Sequence, residues 1–100
     1  MIRGTTPTHI FNVPFSTSLI KELRISYAQD GLIVLEKTEA TATLTDNTIS
    51  VELTQEETLS FNDKKNIALQ VKVLTTDGKV LATQIQQVRV DRCLSEEVLE

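Results

Sequence analysis

The segment NIALQVKVL, residues 66–74, alternates apolar and polar side chains along its whole length. One phase consists of large aliphatic residues: Ile67, Leu69, Val71 and Val73. The other phase carries small or polar residues such as Gln70 and Lys72. Alternation with a period of two is typical of a β-strand that buries one face. The segment therefore predicts a strand whose aliphatic face lies against a core.

A turn and a return strand follow this segment. Asp77–Gly78 favours a type I′ hairpin turn, because both central positions of that turn need positive φ. In the return strand VLATQIQQVRV, residues 80–90, Leu81, Thr83 and Ile85 share one phase of the alternation. Val88 and Val90 lie in the opposite phase. The change of phase at Gln86–Gln87 predicts a β-bulge, in which one extra residue re-aims the strand.

Two more hairpins are predicted upstream. ELRISYA (22–28), the turn QDGL and LIVLEKT (32–38) form one of them, and its apolar run LIVL predicts a position in the middle of a sheet. ATATL (40–44), the turn TDN and TISVEL (48–53) form the other. THIFNVPF (8–15) predicts an edge strand that ends at Pro14, because proline cannot donate to a ladder. STSLIKEL (16–23) predicts a helical turn at most.

The pattern as a whole predicts an all-β fold, an immunoglobulin-like β-sandwich of about seven antiparallel strands. The chain has 100 residues, 40% of them hydrophobic, which fits one domain with one core. We expect the domain to span residues 1–100. Within it, residues 1–7 are expected to form an N-terminal arm and residues 94–100, LSEEVLE, an acidic C-terminal tail.

The acidic stretch LTQEETLSF (53–61) permits a structural and a catalytic interpretation. Thr54 and Glu57 have the spacing of a capping box, which predicts a short helical turn carrying the chain from one sheet to the other. Acidic side chains also suit the positive end of a helix. The catalytic alternative is a small hydrolase using Glu56 or Glu57 with His9, which requires a pocket and a proton-transfer partner. We favour the structural interpretation.

Other chemical sites find little support in the sequence. His9 is the only histidine, and we expect it to point outward from an edge strand. Cys93 is the only cysteine, so an internal disulfide and a cysteine-based zinc site are excluded; we expect it to be half-buried. Three aspartates lie in separate turns rather than in one calcium loop: Asp30, Asp46 and Asp77. The three glycines are isolated, so no phosphate-binding loop is expected, and no metal or cofactor.

Charge and hydropathy narrow the range of partners. The net charge is −4 and the pI about 5.0, so we expect no nucleic-acid partner. No segment has the apolar length of a signal peptide or a membrane span, so we expect a soluble protein made in the cytoplasm, without a membrane partner. Without tryptophan and with Tyr27 as its only tyrosine, the chain offers little for stacking a sugar.

The N-terminal region is the best candidate for protein–protein contact. The edge strand carries Ile10 and Phe11, and the preceding arm carries Ile2 and Arg3. An exposed edge strand is a template for pairing with another chain. These four residues are therefore the candidate contact residues. The alternative is that Phe11 and Phe15 cap the core of the domain.

Four parts of the chain resemble a known family: the opening MIRGTTPTHIFNVPFSTSLIKELRISYAQ, the crossover LTQEETLSF, the segment QVKVLTTDGKVLATQIQQVRVDRCL and the ending EEVLE. They are similar to small proteins encoded in phages and prophages of Gram-positive bacteria, most specifically in RGTTPTHIF. The resemblance covers nearly the whole chain but brings no activity and no catalytic residue with it.

The resemblance implies a phage structural or accessory protein, part of a head, tail or baseplate. Such a protein would be non-enzymatic, would contact other phage proteins or further copies of itself, and would pass from the host cytoplasm into the virion. The alternative is a phage-encoded regulatory protein that binds a host enzyme in the cytoplasm.

Overall fold

The chain forms two antiparallel β-sheets, and the computed structural model describes all residues from 1 to 100. The strands are β1 (Thr8–Asn12), β2 (Ile20–Gln29), β3 (Leu32–Thr38), β4 (Thr43–Thr45), β5 (Thr48–Glu52), β6 (Ile67–Thr75), β7 (Val80–Ala82) and β8 (Gln86–Val88). One short α-helix, α1 (Gln55–Leu59), and two 3-10 turns, Thr17–Leu19 and Glu39–Thr41, complete the elements. The expected helical turn between β1 and β2 is thus a single 3-10 turn.

The strand order is that of an immunoglobulin-like sandwich. Sheet I has the order β1-β5-β4, and sheet II has the order β3-β2-β6-β7, with β8 also paired to β6. If the strands from β1 to β7 are lettered B, C, C′, D, E, F and G in chain order, sheet I has the immunoglobulin order B-E-D and sheet II has the order C′-C-F-G. The predicted fold class is confirmed, with eight strands because the last return strand is divided in two. No strand occupies the place beside β1 where strand A of an immunoglobulin sheet would lie.

The core lies between the facing sides of the two sheets. The aliphatic phase of β6 is buried as predicted, with Val71 only 2% exposed. The inward residues of β2 meet it from the neighbouring strand, and those of β5 meet it from sheet I. Thirteen hydrophobic residues form this cluster: Val13, Leu23, Ile25, Tyr27, Ile49, Val51, Leu53, Phe61, Ile67, Leu69, Val71, Val73 and Val90. Burial of this apolar surface is the main stabilising contribution.

The crossing between the sheets occurs at α1, as predicted. Thr54 accepts a hydrogen bond from the Glu57 amide at 3.1 Å, and Glu57 Oε1 accepts one from the Thr54 amide at 2.8 Å. This capping box satisfies amide groups at the start of a helix too short to be stable alone. Phe61 then anchors the exit in the core with 1% exposure.

The position of β3 differs from the prediction. β2 is central, but β3 is an edge strand of sheet II. Leu32, Ile33 and Val34 are exposed, and only Leu35 of the apolar run packs against the core. The register shifts between Tyr27–Leu35 and Ala28–Ile33, so Val34 is an extra, bulged residue. The apolar run is a poor indicator of burial here because β3 is an edge strand, with a neighbouring strand on one side only.

The two Asp-Gly turns differ from each other. Asp30 and Gly31 both have positive φ and connect the paired residues Gln29 and Leu32, which defines a type I′ turn. At Asp77–Gly78 only the glycine has positive φ, and Thr75 pairs with Lys79 across a three-residue loop. The expected type I′ turn is therefore wrong there, and a type I turn with a glycine bulge takes its place.

The predicted bulge in the return strand lies slightly earlier than Gln86–Gln87. β7 pairs Val73 with Leu81, whereas β8 pairs Leu69 with Gln86, so the return strand contains one extra residue between the two ladders. Thr83 lies in this break, where its hydroxyl accepts from the Val71 amide. Leu81 and Ile85, which share one phase of the sequence pattern, are 44% and 59% exposed.

The N-terminal segment is held by the fold rather than free. Ile2 forms a parallel bridge with Asp91, and the Arg3 amide donates to the Asp91 carbonyl at 3.0 Å. The buried Thr58 hydroxyl accepts from the Gly4 amide at 2.9 Å, and Gly4 adopts a φ of +76° close to the Leu59 side chain. These contacts fix residues 1–7 between α1 and the last segment of the chain.

The C-terminal tail is attached only by side-chain contacts. Arg3 forms an ion pair with Glu96 at 2.6 Å, and the side-chain amide of Gln55 makes two hydrogen bonds with the Leu99 backbone. Leu94 is 96% exposed and Leu99 is 71% exposed. The tail therefore lies along α1 without joining the core.

Candidate functional site

His9 faces the interior, contrary to the expected outward position. It lies opposite the buried Val51 in the β1–β5 ladder, and residues opposite each other share a face. Its Nδ1 is 2.7 Å from the Tyr27 hydroxyl, and the two rings lie 5.6 Å apart. Burial lowers the pKa of His9, so the imidazole is neutral at pH 7, and its Nδ1 shares a hydrogen bond with the Tyr27 hydroxyl. The pKa of Tyr27 is raised by burial and by the nearby Glu57 carboxylate, which keeps the hydroxyl protonated.

Glu57 connects α1 to sheet II. Besides closing the capping box, its carboxylate forms an ion pair with Lys37 on β3 at 2.6 Å. Burial opposes the ionisation of Glu57, but hydrogen bonds from Lys37 and Thr54 outweigh it, so its pKa lies below the usual value. Glu56, beside it in the sequence, is exposed and makes no side-chain hydrogen bond or ion pair. The two neighbouring acids therefore have different roles.

Two of the polar groups singled out by the catalytic alternative, His9 and Glu57, are engaged in holding the fold together, whereas Glu56 is exposed and has no side-chain partner. Three surface cavities are present, and none is lined by His9, Tyr27, Glu56 or Glu57. No three histidine, cysteine, aspartate or glutamate side chains come together to hold a metal ion. Cys93 is half-buried, as expected. Lys37 and Tyr27 are the partners that sequence reasoning missed, because each is distant in sequence from the group it contacts.

The four candidate contact residues divide into two exposed and two engaged side chains. Ile10 is 62% exposed and Ile2 is 47% exposed. Phe11 faces inward opposite Ile49 and packs against the core. The Arg3 guanidinium donates to the Leu59 carbonyl at 2.8 Å and pairs with Glu96. Ile10 is thus the candidate residue that β1 presents most openly to solvent.

The backbone of β1 leaves one row of hydrogen-bonding groups unpaired. The Leu53 amide donates to the Pro7 carbonyl and the Val13 amide donates to the Asn47 carbonyl, so the odd-numbered residues of this strand face β5. The amides and carbonyls of the even-numbered residues point the other way, where no strand lies. We call this row, formed by Thr8, Ile10 and Asn12, the β1 edge.

A shallow apolar cleft lies next to the end of β1. It has a volume of about 270 Å³ and runs between the Asn12–Phe15 segment of sheet I and β7 of sheet II. Val71 and Val73 of the core form its floor, and Leu81 forms part of its wall. The sandwich is therefore incompletely closed on the side that carries the β1 edge.

A second exposed apolar area lies on the outer face of sheet II. Ile33 on β3 and Ile85 beyond β7 flank the small residues Ala28 and Ala68 around a depression of about 150 Å³. Ile33 is 61% exposed. We call this area the outer patch. Apolar areas of this kind on a small domain commonly mark contact surfaces.

Comparisons with known proteins give no further assignment: no family model matches the chain, and no curated protein is significantly similar to it. The α-helix of this fold spans only five residues, and none of the helical segments has the length or the apolar character needed to cross a membrane.

The two adjacent acids of α1 provide a matched pair of substitutions. Glu57→Gln removes the charge that pairs with Lys37 and weakens the capping box, so we expect a loss of about 1 to 2 kcal/mol of stability. Glu56→Gln removes an exposed charge and should change stability by less than about 0.5 kcal/mol. Urea denaturation of both variants measures the difference. Equal effects would show that Glu57 does not hold α1 to sheet II.

The half-buried His9 should make stability depend on pH. The folded state binds a proton on His9 less readily than the unfolded state, whose histidine titrates near 6.5, so stability should fall as the pH drops below that value. His9→Gln should flatten this part of the profile, leaving the decline at lower pH where carboxylates titrate. Denaturation at a series of pH values tests this, with the exposed Thr8→Gln as the control. Parallel profiles for His9→Gln and the wild-type protein would contradict the assignment.

Proposed function

We propose that this protein is a non-enzymatic structural or accessory component of a phage particle, acting through protein–protein contacts. The observation that carries the proposal is the β1 edge, a row of backbone amides and carbonyls without a partner strand, with the exposed Ile10 at its centre. Strand addition at an edge of this kind supplies affinity through backbone hydrogen bonds. A part of a head, tail or baseplate uses such contacts many times over, because weak contacts repeated by symmetry add up to stable attachment.

The rest of the geometry agrees with a contact module. Tyr27 and Glu57 both have hydrogen-bond partners within the fold, and neither of them borders a cavity. The apolar areas open to solvent are the cleft beside β1 and the outer patch. The resemblance of RGTTPTHIF and the segments after it to phage and prophage proteins supports the placement in a particle, with further phage proteins or other copies of this chain as partners.

Quantitative peptide mass spectrometry on gradient-purified phage particles tests the proposal. We expect this protein in the particles at a fixed ratio to the major capsid protein, because symmetric attachment sites are occupied in fixed numbers. The same lysate before purification provides the control for expression.

Absence from the particles, together with abundance in the lysate, would contradict the proposal. It would favour instead a regulatory protein that binds a host enzyme in the cytoplasm. Affinity capture from host extract, with the Ile10→Lys variant as the control bait, would then identify that enzyme.

A further inference from the structure

The sandwich has four free strand edges, and three of them carry features that discourage pairing. β4 is only three residues long, and β7 is equally short and interrupted by the break at Thr83. β3 is longer, but it is bulged at Val34 and carries the charged Glu36 and Lys37. Short strands, bulges and charges are the common means by which proteins protect edges from other chains.

β1 has none of these protections. It spans five residues, its ladder with β5 is continuous, and it contains no carboxylate, lysine or arginine. Its one titratable residue, His9, faces inward against Tyr27. The place beside it belongs to strand A in an immunoglobulin sheet, but residues 1–7 instead run to α1 and to Asp91. The edge that is most suited to pairing is therefore also the one that the chain leaves open.

We propose that β1 pairs antiparallel with β1 of a second copy of this chain about a two-fold axis at Ile10. The free backbone groups belong to Thr8, Ile10 and Asn12, so they fix which residues can exchange hydrogen bonds. Ile10 then lies opposite the second copy's Ile10, and Thr8 lies opposite its Asn12. The two copies of sheet I become one continuous sheet.

The side chains of β1 suit this symmetric register. The exposed Ile10 meets its own copy and loses contact with water, which accounts for a large aliphatic residue at an outward position opposite Ser50. Thr8 and Asn12 form uncharged polar pairs on either side. On the inward face, Phe11 of each copy comes opposite His9 of the other. No like charges face each other anywhere along the strand.

Pro14 limits how far the pairing extends. Pro14 is the next even-numbered residue, so its backbone would face the free edge. Because it has no amide proton, it cannot add another hydrogen-bonded pair beyond Asn12. In this register Pro14 lies opposite Thr6 of the second copy, so by the two-fold symmetry the same limit applies at both ends of the pairing. A pairing confined to five residues closes as a dimer, because a two-fold contact uses the edge of both copies.

This inference deepens the proposed function by naming a partner for the β1 edge, and the two can fail separately. A dimer that is absent from phage particles would leave the pairing intact and remove the structural role. A monomer present in particles would leave the structural role intact and remove the pairing.

Sedimentation velocity of the purified full-length chain over a range of concentrations tests the pairing. We expect a monomer–dimer equilibrium whose dissociation constant rises roughly tenfold or more in Ile10→Lys, because two lysines then face each other at the axis. Ile10 is 62% exposed, so this variant should fold. Leu32→Lys is the matched control, since Leu32 is 72% exposed on the β3 edge, and it should leave the equilibrium unchanged.

Disulfide trapping tests the register independently. In a Cys93→Ser background, Ile10→Cys should form a covalent dimer under mild oxidation, because directly opposed residues have a Cα separation that a disulfide can span. Leu32→Cys in the same background should not. A chain that stays monomeric at every concentration, or a dimer abolished by Leu32→Lys and untouched by Ile10→Lys, would overturn the proposal.

Discussion

The ladder between β2 and β6 is the interaction on which the rest of this structure depends. It places the two longest strands side by side in sheet II, with their inward side chains forming half of the core. Neither strand could keep that face in water, so sheet I must cover it. The α1 crossover then carries the chain from β5 in sheet I to β6 in sheet II. Within sheet I, β5 lies between β1 and β4, so β1 is left at an edge.

Much of this arrangement is encoded in local sequence. The period-two pattern predicts β6, the Thr54–Glu57 spacing predicts the capped turn, and the change of phase predicts the break in the last strand. These features depend on residues within a few positions of one another. The apolar run of β3 misled the prediction because a strand that is apolar on both faces is normally buried on both, whereas Ile33 and Val34 here remain exposed.

The inward position of His9 and the contacts of residues 1–7 depend on distant parts of the chain. Ile10 and Phe11 are adjacent apolar residues, so the sequence of β1 is compatible with either residue facing the core. In the structure, pairing with β5 places His9 and Phe11 on the inward face. The fixed position of residues 1–7 depends on Thr58 and Asp91, which are more than fifty residues away. The buried Gln29, which holds the loop at Asn62 through its side-chain amide, is likewise set by distant backbone groups. Such contacts cannot be read from local spacing.

The backbone amides and carbonyls of β1 that point away from β5 have no partner strand, so β1 offers an open edge to another chain. Amide hydrogen exchange resolved by residue tests it most directly, because protection reports which amides are bonded. An open β1 edge predicts alternation in dilute solution: Phe11 and Val13 exchange slowly, whereas Thr8, Ile10 and Asn12 exchange fast and gain protection as concentration rises. Equal protection of Ile10 and Phe11 in dilute, monomeric protein would show that the edge is already covered within the domain and is not open to another chain.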